Sequence, residues 1–426
     1  MHRSVQNTLA ILGAVALVAA CANTTESPTT QTGSPAPSSS AEPPAPAPTT
    51  AAAADAAAAT PVLASVLAAP VPVPATDGKV HLAYELQLTN AMPDAVTLKS
   101  LSVKAGDADL LTLAGGQLSY WTRALGENAT PTTTLGAGRA GLVWLDVALD
   151  PGTPAPTELT HTIVVDLAKP MPPLLPATMI QDDVARVTVS TQPPVAISPP
   201  LYGPNWLDGN SCCDMTAHRM AMNPLNGQLW AAERFAIDYV QLGANGTLFK
   251  GDQAKVESYP YFGVDIHAVA DGPVVAVLDG LPEQVAGRSP TGLELEQYGG
   301  NHVVQDISGG GTEKRYAFYA HLKTGSVKVK VGDKLTTGQV LANLGNTGNT
   351  DAPHLHFHVM STPDPLRSNG LPFVFKQFKL DGRIASMAAL DPLLTGAPAP
   401  MVPDFTPRDE TNVSPLVLDV MTYAAG

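Results

Sequence analysis

The sequence is poor in basic residues: 24 Lys and Arg stand against 38 Asp and Glu, for a formal net charge of −14. That balance excludes a surface built to hold nucleic-acid phosphates. No Lys or Arg occurs between Arg3 and Lys79. The opening apolar run, Thr8 to Ala20, falls short of the ~20 residues that span a bilayer. Cysteine is scarce, with Cys21, Cys212 and Cys213 the whole complement. Hydrophobic residues make up 44% of the chain, so a sizeable core can still be buried. A length of 426 residues is enough for two domains.

Residues 1–21 read as an export signal. His2 and Arg3 give a short polar start, and the apolar run ends in Val18-Ala19-Ala20-Cys21. Small residues before a cysteine resemble the lipobox of bacterial lipoproteins. That implies a lipidated Cys21, a membrane anchor through it, and a place outside the cytoplasm, in the cell envelope or periplasm. Residues 22–76 are mostly Pro, Ala, Ser and Thr. They bury too little to offset their ordering entropy and read as an extended tether.

From Lys79 the pattern changes. Val80, Leu82, Tyr84, Leu86 and Leu88 alternate with His81, Ala83, Glu85, Gln87 and Thr89, the period of a half-buried strand. Further short runs lie at 96–103, 141–149, 159–167 and 184–189, with Gly-, Pro- and Asp-rich breaks. No long helical period appears. The expected fold is all-β, with residues 77–198 forming an immunoglobulin-like β-sandwich. No cluster of His, Cys or acidic residues marks this part, which reads as a spacer or binding module.

The chemistry is expected in residues 199–395. Cys212 and Cys213 are adjacent in N-S-C-C-D. An exported chain meets oxidising conditions, which favours a disulfide between them over two thiolate ligands. A strand over 217–223, a three-residue loop at Leu225 to Gly227 and a return strand over 228–242 are expected as a hairpin. Short strands are expected around 266–278, 301–304 and 315–322, the last placing Ala317, Tyr319 and His321 on one face. The run Asp351 to Met360 reads D-A-P-H-L-H-F-H-V-M. Alternation along a strand sends His354, His356 and His358 to one side and Leu355, Phe357 and Val359 to the core. Three imidazoles in a row suggest a metal site; the plain alternative is a polar outer face. His358 reads as an exposed residue, or else as a donor supporting a metal ligand from behind, and His267 and His302 as structural or exposed. Residues 396–426 form a Pro-rich tail whose apolar end, Leu416 to Val420, is expected to pack back as an edge strand.

The order G-N-x-V, Y-A-H-L, V-G-D-x-L-x-x-G-Q-V-L and G-N-T-G-N-T-D-A-P-H-L-H-F resembles the lysostaphin and LytM family of zinc endopeptidases. The likeness runs from Arg234 to about Met360. It implies an antiparallel β-sheet groove, a Zn2+ cofactor and cleavage of peptide bonds in peptidoglycan. It also implies that His356 is a zinc ligand and that His321 and His354 are catalytic. The family's carboxylate ligand falls on Asp238 or Asp265. Asp238 fits better, because Asp265 lies too close to Asp271. The family's first histidine ligand is replaced by Arg234 in this register, or by Tyr261 in the other. An arginine stays protonated and cannot bind zinc. The expected hairpin would set His218 across from Arg234, where it would supply the missing imidazole; a one-residue change of register would instead turn it to the other face, as a surface or core-edge histidine. Two rivals remain. One is a relative without activity that binds the wall or activates a wall amidase. The other is a biotinyl or lipoyl carrier, which the stretch Val331 to Leu341 resembles, although no lysine sits in a recognisable attachment motif.

Overall fold

The computed structural model describes residues 57–127 and 130–424. The export signal, Cys21 and most of the tether lie outside the described residues. The last part of the expected tether does not. Val62–Val66 pairs antiparallel with Val80–Asn90, and Val73–Pro74 pairs with the start of the same strand. The expectation of an extended tether up to residue 76 is corrected here. The cause is local: V-L-A-S-V is β-prone, Val62 is buried in the core, and the Gln181 amide closes on both its backbone groups at 2.9 and 2.7 Å.

The first half is a two-sheet sandwich. One sheet runs Val62–Val66, Val80–Asn90, Ala140–Leu149, Thr122–Ala124; the other runs Thr178–Thr188, Glu158–Leu167, Val96–Ala105, Ala108–Ala114. Leu82, Tyr84, Leu86, Val143 and Leu145 from the first sheet meet Leu98, Leu101, Val103, Ile163 and Val165 from the second in one core. Most of these are alternate positions of their strands; the step from Leu98 to Leu101 crosses a register shift between Leu98 and Ser100.

The second half is built on an 11-stranded sheet. Its central order is Gly272–Leu278, Asn301–Asp306, Tyr316–Leu322, Leu355–Met360, Ile237–Gln241, Gly203–Gly209, Asp419–Tyr423, Phe378–Arg383. The last described strand therefore lies inside the sheet, between Gly203–Gly209 and Phe378–Arg383, and not at its edge as expected. Val420, Met421 and Tyr423 are all buried, and a strand covered on both faces belongs in the interior.

The expected hairpin at 217–242 also differs. Asn223–Leu225 pairs with Gln228–Trp230, so the loop is the two residues Asn226 and Gly227, with φ 50° and 75°. Asn-Gly is the pair that tolerates positive φ at both positions. Residues Ala217–Met220 form a helical turn rather than a strand, and Thr216 Oγ1 caps it by accepting from Arg219 N at 3.3 Å. Ala231 to Ala236 turn away from any ladder, with Ala236 N donating to Glu233 O at 2.9 Å. The return strand resumes only at Ile237.

The glycine and asparagine loop before the histidine strand is pressed against the start of Asn301–Asp306. Gly348 has φ 80°, and a Cβ there would sit 2.2 Å from Gly300 N. Only glycine allows that backbone approach. It fixes Thr347, whose carbonyl is used in the site below.

Candidate metal and catalytic centre

Asp238 is the hub. It lies in Ile237–Gln241, beside the histidine strand, with Asp238 opposite His356 in register. The neighbouring strand on the other side sets Ala320 opposite His356, which brings His321 to the same end. The side chains of Asp238, His218, His321, His354, His356 and His358 are all buried, and Asp238 is only 1% exposed.

Asp238 Oδ1 lies 2.9 Å from His356 Nδ1 and 3.2 Å from His354 Nε2. Its Oδ2 lies 3.0 Å from His218 Nε2 and accepts from Asn210 Nδ2 at 3.0 Å. Each imidazole is oriented through its other nitrogen. His218 Nδ1–H donates to Ala236 O at 3.0 Å, His354 Nδ1–H to Ala352 O at 2.8 Å, and His321 Nδ1–H to Thr347 O at 2.7 Å. His356 Nε2 meets His358 Nδ1 at 2.9 Å. Such bonds fix which ring nitrogen is left with a lone pair.

Two groups of donors result, each with its atoms within 4.8 Å: His218, Asp238 and His356; and His321, His354 and His356. The first contains the carboxylate and uses Nε2 of His218 and Nδ1 of His356. Two imidazoles and a carboxylate, each braced from behind, form a donor set that suits zinc once the metal displaces the ring protons. His321 presents Nε2 beside it and His354 turns its Nε2 onto Asp238 Oδ1 at 3.2 Å, the two rings 4.6 Å apart. His321 also carries a left-handed backbone, φ 57°. A residue other than glycine is strained there, of order 1–2 kcal/mol. The strain is held by His321 N donating to Gly299 O at 2.9 Å and by the Thr347 contact.

The sequence-based candidates fall out as follows. His218, Asp238, His321, His354 and His356 are brought together. His218 arrives from a capped helical turn, not from the strand opposite Arg234. Asp265 lies elsewhere, exposed and paired with Lys328 Nζ at 3.1 Å. Arg234 points away from the centre, into a buried ion pair with Glu85. His358 is corrected: it is 1% exposed and supports His356, not an exposed residue. The alternation H-x-H-x-H carried that signal. His267 is buried beside Tyr202, and His302 lies 5.3 Å from Phe318 with the rings tilted, in the adjoining groove. Asn210 and the carbonyl of Thr347 carried no sequence signal. Cys212 and Cys213 are joined by the expected disulfide. Glu233, Tyr298, Phe318 and Leu366 line the mouth of the centre.

Burial disfavours a charged His218, but the Asp238 carboxylate, with Glu233 behind it, prevails and pushes it up to about 9. Burial also disfavours a charged Asp238, yet His218 and His354 hold it well below the usual carboxylate range. His321 and His358 are held well below 6.5, by burial first and by neighbouring imidazoles second. The signs follow from linkage. A histidine raised from 6.5 to about 9 stabilises the folded chain fully below pH 6.5, and this contribution is lost as pH rises through about 9. In the chelator-treated chain, the melting temperature therefore falls between pH 7 and 9.5. Asp238→Asn flattens that limb, which differential scanning calorimetry reads directly.

Comparison with known proteins adds the following. The model of peptidase family M23 matches residues 259–368, a span that begins after His218 and Asp238. Glycyl-glycine endopeptidase ALE-1 of Staphylococcus capitis is 31% identical over 120 residues, 28% of this chain and 26% of that protein. Lysostaphin of Staphylococcus simulans is 32% identical over 119 residues, 28% of this chain and 19% of that protein. The chain thus spans about a quarter or less of the length of these relatives. Among solved structures, the catalytic domain of lysostaphin from Staphylococcus simulans is 20% identical, with a TM-score of 0.21, over 41% of this chain and 88% of that one.

Proposed function

Because the chain carries a domain of peptidase family M23, of the lysostaphin and LytM type, we infer that it is a zinc-dependent endopeptidase that hydrolyses peptide bonds of peptidoglycan. The observation that carries this reading is the convergence of His218, Asp238 and His356 on one point, with Nε2 of His321 beside it and Nε2 of His354 held against Asp238.

His218, Asp238 and His356 would hold the metal. When bound, zinc supplies Lewis acidity that polarises a carbonyl and makes a water acidic near neutral pH. The remaining work belongs to the chain. One of His321 and His354 takes the proton of the attacking water at Nε2, and the other donates from Nε2 to the oxyanion forming on the scissile carbonyl. The Thr347 and Ala352 carbonyls keep both rings in the tautomer that presents Nε2. Phe318, Tyr298 and Leu366 give the peptide a partly apolar mouth.

Arg234 in place of the family's histidine favours the rival reading, a wall-binding or amidase-activating relative without activity. His218 answers it, because a third donor is present from another segment. The lipobox at Cys21 and the Pro-rich tether fit an enzyme held at the outer face of a membrane within reach of the wall.

The test is digestion of purified peptidoglycan, read as new amino groups. Release is expected with the untreated chain, to stop with 1,10-phenanthroline and to return with added zinc. Binding to the wall without any release at saturating zinc would favour the inactive relative.

A further inference from the structure

Glu85 belongs to the first half of the molecule but has no charged partner there among the described residues. It lies within Val80–Asn90, wholly buried, opposite Trp144 in register. Its carboxylate reaches across to the second half. Arg234 Nε donates to both its oxygens at 2.9 Å, and Arg234 Nη2 donates to Oε2. Arg219 Nη2 stands 3.9 Å from Oε1. Arg219 is locked further by donating to Cys213 O at 2.9 Å and Leu145 O at 3.1 Å, while Trp144 Nε1 donates to Arg219 O at 2.6 Å. Two guanidinium groups and one carboxylate are thus withdrawn from water together.

Both arginines sit beside the centre. Arg219 follows His218 on the same helical turn. Arg234 lies two residues before Ala236, whose carbonyl orients His218, and four before Asp238. One carboxylate therefore ties together the two segments that carry His218 and Asp238. A forked guanidinium–carboxylate pair fixes orientation as well as distance, and metal affinity depends on how the imidazoles are aimed.

We propose that Glu85 is a positioning residue for this centre: a carboxylate of the N-terminal sandwich that sets the aim of His218, so that the zinc site of the second half is incomplete without the first. The proposal rests on the zinc reading above. If Glu85 served only to hold the halves together, its loss would lower stability and leave the metal affinity of the folded chain alone.

The experiment uses the full chain. Zinc affinity is measured by competition with a chromophoric chelator, beside the unfolding midpoint in EDTA. Glu85→Gln is expected to bind zinc about 10–100-fold more weakly while remaining folded. Thr76→Val is the control. Thr76 Oγ1 donates to Asp419 Oδ2, a second contact between the halves far from Arg219 and Arg234 in sequence. It is expected to lower the midpoint with affinity unchanged. Should Glu85→Gln not fold, Arg234→Lys keeps the charge, loses the fork, and is expected to weaken zinc in the same direction. Affinity within twofold of the unmodified chain in the folded variants would overturn the inference and leave the zinc reading intact. An unmodified chain that takes no zinc overturns both.

Discussion

His321→Ala and His354→Ala each slow peptide hydrolysis by about 10²–10⁴-fold while the chain still takes one zinc. The two rings are not in the carboxylate-containing donor set. Each commits Nδ1 to a backbone carbonyl; His321 thereby keeps Nε2 for a reacting group, while His354 Nε2 is shared with Asp238 Oδ1 at 3.2 Å. Burial and the neighbouring imidazoles keep His321 neutral near pH 7, the state a base requires. Burial pushes His354 down, but the Asp238 carboxylate outweighs it and raises the ring above the ordinary histidine value. The loss is expected in kcat with little change in KM, because the interactions exist only as charge develops. The double variant should cost no more than about the larger single loss, since the two act as one unit. Steady-state kinetics beside metal analysis separates this from a binding defect: a variant that loses zinc along with activity would place its histidine among the ligands instead.

Asp238→Asn removes zinc binding and destabilises the metal-free chain as well. The carboxylate touches His218, His354 and His356 at 3.0, 3.2 and 2.9 Å, and an amide offers neither the charge nor the second acceptor. Burial alone would push His218 down; Asp238 raises it to about 9. At pH 7 that coupling corresponds to about 2–3 kcal/mol. The variant can shed the proton rather than keep an unpaired buried charge, so the cost stays near that figure instead of growing further. Urea unfolding in EDTA at pH 7 gives the number. The difference from the unmodified chain should shrink towards pH 9.5, where His218 is neutral in both.

Much of the centre was legible because it is carried by strand alternation. His354, His356 and His358 share a face by period alone, and Leu355, Phe357 and Val359 fill the core as expected. His321 was legible from its strand. The choice of Asp238 over Asp265 needed spacing and a resemblance, and Asp265 lies in an exposed ion pair. His218 was named for the wrong reason. The turn signal before Gln228 suggested a hairpin with a strand over Ala217 to Asn223, but Thr216 caps a helical turn, and side-chain capping competes with the ladder. His218 reaches the centre through tertiary packing, with its Nδ1–H on Ala236 O at 3.0 Å, which no local pattern encodes. Arg234 shows the same limit. Its charge said that it could not bind zinc; nothing in the sequence said that Glu85, 149 residues away, would take it. The edge position expected for the last strand failed because the sheet continues across it, into Phe378–Arg383. Strand partners far apart in sequence leave no local trace.

The most direct test is zinc content, measured by mass spectrometry on the purified full chain and on His218→Ala after dialysis at micromolar free zinc. The expected result is one zinc per unmodified chain and none retained by His218→Ala, with both proteins folded by circular dichroism. One zinc in both would mean that the centre is completed by another group and that His218 is not the third ligand. No zinc in the folded unmodified chain would contradict the catalytic account itself.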